Sequence, residues 1–152
     1  MKPFTLLFIG LLFVTYACSP SKQEAANTDA EEGKGLVGYV ELTDPLDESM
    51  IKQGRGIFTS KCASCHTLDT VQFAVPSFAG VTNRRAPEWI MNMIMNVDQM
   101  LQNDPTAADL LKKHKIQMPD PNLKVDEARA VLEFLRNNDL QQLGEKDLAA
   151  TR

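Results

Sequence analysis

The feature of the sequence that most constrains its fold is TSKCASCHTL, residues 59–68. It places Cys62 and Cys65 three residues apart, with His66 directly after the second cysteine. Three kinds of site use cysteines at this spacing: structural zinc, a redox disulfide and covalently attached haem. Each kind needs different partners, so the rest of the chain decides among them.

Zinc and thiol exchange find little support elsewhere in the chain. Structural zinc usually takes four cysteine or histidine ligands, but the chain has three cysteines, and its other histidine, His114, lies among lysines. A thioredoxin-like pair lies beside a βαβ pattern, whereas this pair follows a predicted helix in a chain without strand-like alternation. The CASCH pentapeptide is the attachment signature of c-type haem, and we interpret it as such.

The N-terminus has the pattern of an export signal. Lys2 precedes an uncharged apolar run, residues 4–17, which is shorter than the about 20 helical residues that a bilayer requires. This order is typical of a secretory signal peptide. Ala17 before Cys18 resembles the lipobox of bacterial lipoproteins, although Thr15 stands where an aliphatic residue is usual. We expect lipidation at Cys18, with ordinary signal cleavage as the alternative.

Charge and cysteine count limit the classes of function. Cleavage after Ala17 removes one lysine and no acid, which leaves 15 basic and 20 acidic side chains and a net charge of −5. A mildly acidic chain without a basic cluster argues against nucleic-acid binding. With Cys18 lipidated and the other two cysteines in one site, no cysteine of this exported chain is left over. The fact that all three cysteines have a use favours lipidation at Cys18 together with haem attachment at Cys62 and Cys65.

The chain divides into a signal peptide, a tether, one domain and a tail. After the signal peptide, residues 1–17, we predict a lipidated N-terminus and flexible linker over 18–44, because Ser, Pro, Gly and charged residues dominate there. Residues 45–140 carry apolar residues at helical spacing, which predicts an all-α domain of about four helices. Residues 141–152 are predicted to be a C-terminal tail.

Caps and prolines bound the four predicted helices. Asp44 is the predicted cap of the first, with Pro45 in its first turn. The second covers about 86–96, the third starts with an aspartate cap and a proline at 104–105, and the fourth covers about 126–138. So small a domain buries relatively little of its own surface. A large apolar cofactor would supply the missing core.

The domain resembles class I cytochromes c beyond the pentapeptide. Gly54, Phe58 and Cys62 fall at four-residue steps, as in that family. The resemblance implies that Gly54 lets the C-terminal helix cross closely and that Phe58 packs on an aromatic residue of that helix, here Phe134. It further implies a helical bundle around one covalent haem c, attached through Cys62 and Cys65.

The resemblance also implies other cofactor-binding residues. In AVPSFAGVTNR, the Pro76 carbonyl would accept a hydrogen bond from His66 and so orient the imidazole. Arg84, with Arg85 as an equal candidate, would lie near a haem propionate, and the Trp89 indole would donate to one. The alternatives are that the arginines are solvated and that the Trp89 ring is a core residue.

The second axial ligand of the iron has two candidates. Met118 stands in KIQMPDPNL, a loop before the last helix, where class I cytochromes present their axial methionine, commonly before a proline. His114 is the alternative, although the end of a helix favours a solvated basic residue there. We predict His66 and Met118 as the metal ligands; an open sixth site is the third option.

These residues predict a membrane-tethered electron-transfer protein on the periplasmic side of the cell envelope. Histidine and methionine fill both axial positions of the iron and raise the haem potential. We therefore expect respiratory donor and acceptor proteins as partners, no small-molecule substrate and no catalytic residues. The alternatives are a haem subunit of a larger terminal oxidase or nitrogen-oxide reductase, and a haem-based ligand sensor with an open sixth site.

Overall fold

The computed structural model describes residues 37–71 and 74–144 of the 152-residue chain. These residues form helices and loops without strands, which confirms the all-α prediction. None of their helices is long and apolar enough to cross a membrane. The predicted signal peptide and Cys18 lie outside the described residues. The helices are α1 (Glu48–Lys61), α2 (Val81–Arg84), α3 (Pro87–Met95), α4 (Val97–Asn103), α5 (Pro105–His114) and α6 (Val125–Leu143).

The crossing of α1 and α6 is the centre of the fold. Gly54 is buried there, and a Cβ atom at this position would lie 2.0 Å from the backbone oxygen of Ala130. One turn later, the ring of Phe58 packs against that of Phe134, with centroids 5.5 Å apart. Both contacts implied by the resemblance are present. They hold the end of α1, and with it the CASCH segment, against the longest helix.

The predicted start of α5 is confirmed, whereas that of α1 is wrong. The side chain of Asp104 accepts the backbone N–H of Ala107 at 2.8 Å, and a proline follows at the first helical position. For α1, the cap is Asp47, which accepts the N–H of Met50 at 2.9 Å. Asp44 lies too far upstream, because a capping side chain reaches the N–H groups two or three residues onward.

Two short helices, α2 and α4, have no counterpart among the four predicted ones. Helix α2 is a single turn that follows Gly80, whose φ of 68° lies in the left-handed region that favours glycine. Helix α4 follows α3 after one residue, and both Val97 and Met100 on it are buried. Helix α2 has four residues and α4 has seven, which are too few for a periodic apolar pattern to be recognised in the sequence.

The segment before α1, residues 37–47, packs on α3 and α6, and we call it the N-terminal strap. Asn92 of α3 pairs with Val37 twice: its Oδ1 accepts the N–H at 2.7 Å, and its Nδ2 donates to the carbonyl oxygen at 2.9 Å. The N–H of Val40 donates to Glu88 at 3.0 Å. The last eight residues of the predicted linker are therefore held on the helices.

A buried carboxylate on α6 fixes the other end of the strap. Glu133 accepts from the hydroxyl of Thr43 at 2.6 Å and from the N–H of Asp47 at 3.0 Å. It also pairs with Arg129 at 2.5 Å and Arg136 at 2.7 Å. Burial alone would raise the pKa of Glu133, but these hydrogen bonds and the Arg129 charge outweigh it and lower the pKa. The carboxylate is thus kept ionised.

Candidate haem site

The CASCH segment forms a tight turn at the end of α1. Cys62 is the C-cap of the helix, and its carbonyl accepts the N–H groups of Cys65 at 3.1 Å and His66 at 3.0 Å. Cys62 is buried, Cys65 is exposed, and no disulfide joins them. Burial raises the pKa of the Cys62 thiol, against the opposing charge of Lys61. The Cys62 thiol is therefore not activated for thiol exchange in the way that a redox motif requires.

The imidazole of His66 is held by the loop that follows. Its Nδ1 lies 2.8 Å from the carbonyl oxygen of Pro76, the contact that the resemblance implies. A carbonyl only accepts, so Nδ1 carries the proton and Nε2 keeps its lone pair for a metal. Burial lowers the pKa of His66, and the hydrogen bond to Pro76 opposes this shift only in part. The ring is thus neutral, as metal ligation requires.

An apolar cavity of about 330 Å³ adjoins this turn. Its volume lies within the range of roughly 300–1,000 Å³ typical of ligand pockets. Four potential haem-binding side chains line it: Cys65, His66, His114 and Met118. The walls come mainly from aliphatic side chains of α2 to α5: Val81, Ile90, Ile94, Leu101, Leu110 and Leu111. Cys65, the neutral imidazole of His66 and the thioether of Met118 line this apolar cavity, and Cys62 lies in the adjoining turn; together they form a donor set that fits a haem group.

The two candidates for the second axial ligand both reach the cavity. Met118 is half-buried and packs against the hydrophobic core. His114 is also half-buried, and its Nδ1 lies 3.0 Å from the carbonyl oxygen of Ala74 in an exposed contact. The loop carrying Ala74 therefore lies close to the end of α5.

The basic pair after Gly80 also lines the cavity. The guanidinium of Arg84 donates to the carbonyl oxygens of Ala79 and Ser77, the latter at 3.4 Å. The guanidinium of Arg85 lies over the ring of Trp89, 5.1 Å from its centroid. Both arginines therefore have partners within the protein, and both lie where a propionate near the cavity would meet a positive charge.

The indole N–H of Trp89, which the resemblance places near a propionate, has a protein partner in this structure. Its Nε1 donates instead to Asp104 at 3.0 Å, and an indole has one N–H to give. The same carboxylate caps α5, so Trp89 ties α3 to the start of α5. The ring packs against the hydrophobic core, as in the alternative prediction, and it also lines the cavity.

Two site residues carry no clear signal in the sequence. The ring of Phe78 stacks on the His66 imidazole, with centroids 4.4 Å apart. Asp139 of α6 is buried and accepts the N–H groups of Gly80 at 2.7 Å and Thr82 at 2.9 Å, so it fixes the loop that carries Pro76. An aromatic residue in a loop and an aspartate on a helix are common in any sequence, and only the tertiary fold determines which groups they contact.

The family model of cytochrome c matches residues 51–139. Among solved structures, the chain is similar to cytochrome c from Rhodothermus marinus, with 36% identity over 74% of this chain and 96% of that one, at a TM-score of 0.68. An engineered form of that protein gives 35% identity, 72% and 94% coverage, and a TM-score of 0.65.

The cytochrome c domain of a Pseudomonas putida protein is more distant, with 28% identity, coverage of 65% and 95%, and a TM-score of 0.53. No curated protein matches the chain significantly. The family match spans more than half of the chain and includes the CASCH turn, the residues that line the cavity and most of α6. The protein therefore belongs to the cytochrome c family, whose members carry covalently attached haem c.

Proposed function

We propose that this protein is a monohaem electron carrier whose haem iron is bound by His66 and Met118. The thiols of Cys62 and Cys65 would hold the macrocycle through thioether bonds. When bound, the haem supplies a one-electron couple. The observation that supports this proposal is that a carbonyl-held, neutral imidazole and a half-buried thioether line the same apolar cavity.

The surroundings of the cavity suit electron transfer better than substrate chemistry. With nitrogen and sulfur ligands on the iron, neither axial position is open to a substrate. The predominantly apolar lining of the cavity favours a high reduction potential. The proposed partners are respiratory proteins that deliver or remove one electron at a time, each binding transiently near the exposed Cys65.

Redox titration with and without carbon monoxide tests this proposal against a ligand sensor. Carbon monoxide binds ferrous haem with an open axial position and raises its potential by mass action. At 100 times the dissociation constant, an open site would shift the midpoint by about 120 mV. We expect one reversible one-electron transition that saturating carbon monoxide leaves unchanged. A carbon-monoxide-dependent rise, or no one-electron transition, would overturn the electron-carrier proposal.

We further propose that a lipid on Cys18 anchors the protein to a membrane on the periplasmic side. The support is sequence order: Lys2, an apolar run, and Ala17 directly before the cysteine. The strap begins at Val37, so 18 residues separate it from Cys18. The flexible linker predicted from composition would span about 20–25 Å at this length and would let the domain turn between partners.

Membrane fractionation of the full-length chain tests the anchor. We expect Cys18→Ser to move the haem-containing protein from the membrane fraction to the soluble fraction, because the thiol is the acylation site. Ser21→Ala, nearby in the same segment, is the control and should leave the distribution unchanged. Equal membrane association of Cys18→Ser and the wild type would show that the anchor lies elsewhere.

A further inference from the structure

The loop that holds His66 contacts it a second time, through an aromatic ring. The rings of Phe78 and His66 lie with centroids 4.4 Å apart and planes at 28°, a stacked arrangement. The N–H of Phe78 donates to the carbonyl oxygen of Thr67 at 2.9 Å. The residue directly after His66 is therefore tied to the residue whose ring covers the imidazole.

The ring of Phe78 is supported from behind by α1. Phe58 meets it nearly edge-on, with centroids 5.8 Å apart and planes at 64°. Phe58 is 4% exposed and is packed in turn against Phe134 of α6. This chain of rings leaves Phe78 little freedom to rotate away from His66.

The hydrogen bond to Pro76 and the stack on Phe78 restrain different motions of the imidazole. The hydrogen bond fixes the position of Nδ1, but carbonyl oxygens accept over a broad range of directions. Such a bond tolerates rocking and twisting of the ring. A ring stacked on the face opposes that twist, because tilting the imidazole out of the stack loses contact over its whole area.

We propose that Phe78 is a positioning residue that fixes the plane of the His66 imidazole about its bond to the haem iron. This inference rests on the proposed ligation of the iron by His66. In oxidised low-spin haem, the plane of the axial imidazole helps determine which iron d orbital holds the unpaired electron. The orientation set by Phe78 would therefore determine the electron distribution over the haem edge, where a partner takes up the electron.

Proton NMR of the oxidised holoprotein measures this orientation through the shifts of the haem methyl groups. The test variant is Phe78→Leu, which keeps an apolar side chain and removes the stacking face. Phe78→Tyr keeps the face and is the conservative rescue. The matched control is Phe134→Leu, the same change in the same aromatic cluster, two rings away from His66. If Phe78→Leu fails to accumulate, Phe78→Met makes the same test.

We expect Phe78→Leu to change the order and spread of the haem methyl shifts, and Phe78→Tyr to keep the wild-type pattern. Phe134→Leu should lower the melting temperature and change that pattern much less than Phe78→Leu does, because it keeps the stacking face on His66. The positioning role is overturned if Phe78→Leu keeps the wild-type shifts, or if Phe134→Leu changes them as much. Failure of the proposed function is distinct: the wild-type protein itself would then lack the shifted resonances of oxidised low-spin haem.

Discussion

At Gly54 the backbones of α1 and α6 approach so closely that a side chain would overlap the facing helix. A Cβ atom there would lie 2.0 Å from the Ala130 oxygen and 2.9 Å from the Cβ of Phe134. Gly56, two residues later on the same helix, is exposed and has nothing within 4 Å of the corresponding position. The two glycines therefore form a matched pair for measuring what the crossing requires.

Gly54→Ala should destabilise the protein at the upper end of the about 1–3 kcal/mol typical of overpacking, because α6 must move away from α1. Gly56→Ala should instead raise the free energy of unfolding by up to about 1 kcal/mol, because alanine has a higher helix propensity than glycine at an exposed position. Urea unfolding of both holoproteins measures the two free energies. Equal effects of the two substitutions would contradict the close crossing.

Some site residues follow from local spacing and others do not. The turn at Cys62, Cys65 and His66 follows from the motif itself. The hydrogen bonds of Trp89 and His114 do not, because their partners lie 15 and 40 residues away, at Asp104 and Ala74. No pattern in the sequence indicates such a pairing; only the fold brings these groups together.

At the scale of elements, the N-terminal strap makes residues before α1 part of the domain. Its backbone groups bond to Asn92 and Glu88 on α3 and to Glu133 on α6. The predicted linker ends at residue 44 because Ser, Pro, Gly and charged residues dominate 18–44 as a whole, although its last residues include Val37, Val40 and Leu42. These three pack on the hydrophobic core, and the backbone of the strap is held by side chains of the helices, which composition does not reveal.

Glu133→Gln should destabilise the protein by about 3–5 kcal/mol at neutral pH, because it removes the buried carboxylate that pairs with Arg129 and Arg136. Because the pKa of Glu133 is lowered by folding, its charged form stabilises the folded state at pH values above the ordinary glutamate pKa of 4.5. That stabilisation is lost as the pH falls through the folded-state pKa. The difference between the variant and the wild type should therefore shrink below about pH 4.5.

Urea unfolding between pH 7 and pH 3 measures this pH dependence. Glu41→Gln, on the exposed side of the strap, is the control and should stay within about 0.5 kcal/mol of the wild type. A pH-independent difference for Glu133→Gln would mean that its charge is not what holds the strap.

At the scale of the whole molecule, the haem motif and the helical periodicity together predict the fold class, the close crossing and the region of the site. They do not predict the cavity, whose walls come from α2 to α5 and from the loops beside His66 and Met118. That shape depends on packing between distant parts of the chain, including the unpredicted α4. The family match agrees with the fold and leaves the second iron ligand to experiment.

The absorption spectrum of the oxidised protein tests that second ligand most directly. A thioether bound to ferric haem gives a weak, long-wavelength sulfur-to-iron charge-transfer band. We predict this band in the wild type and in His114→Ala, and its loss in Met118→Ala. A wild-type spectrum without the band, or a band that persists in Met118→Ala, would contradict ligation of the iron by His66 and Met118.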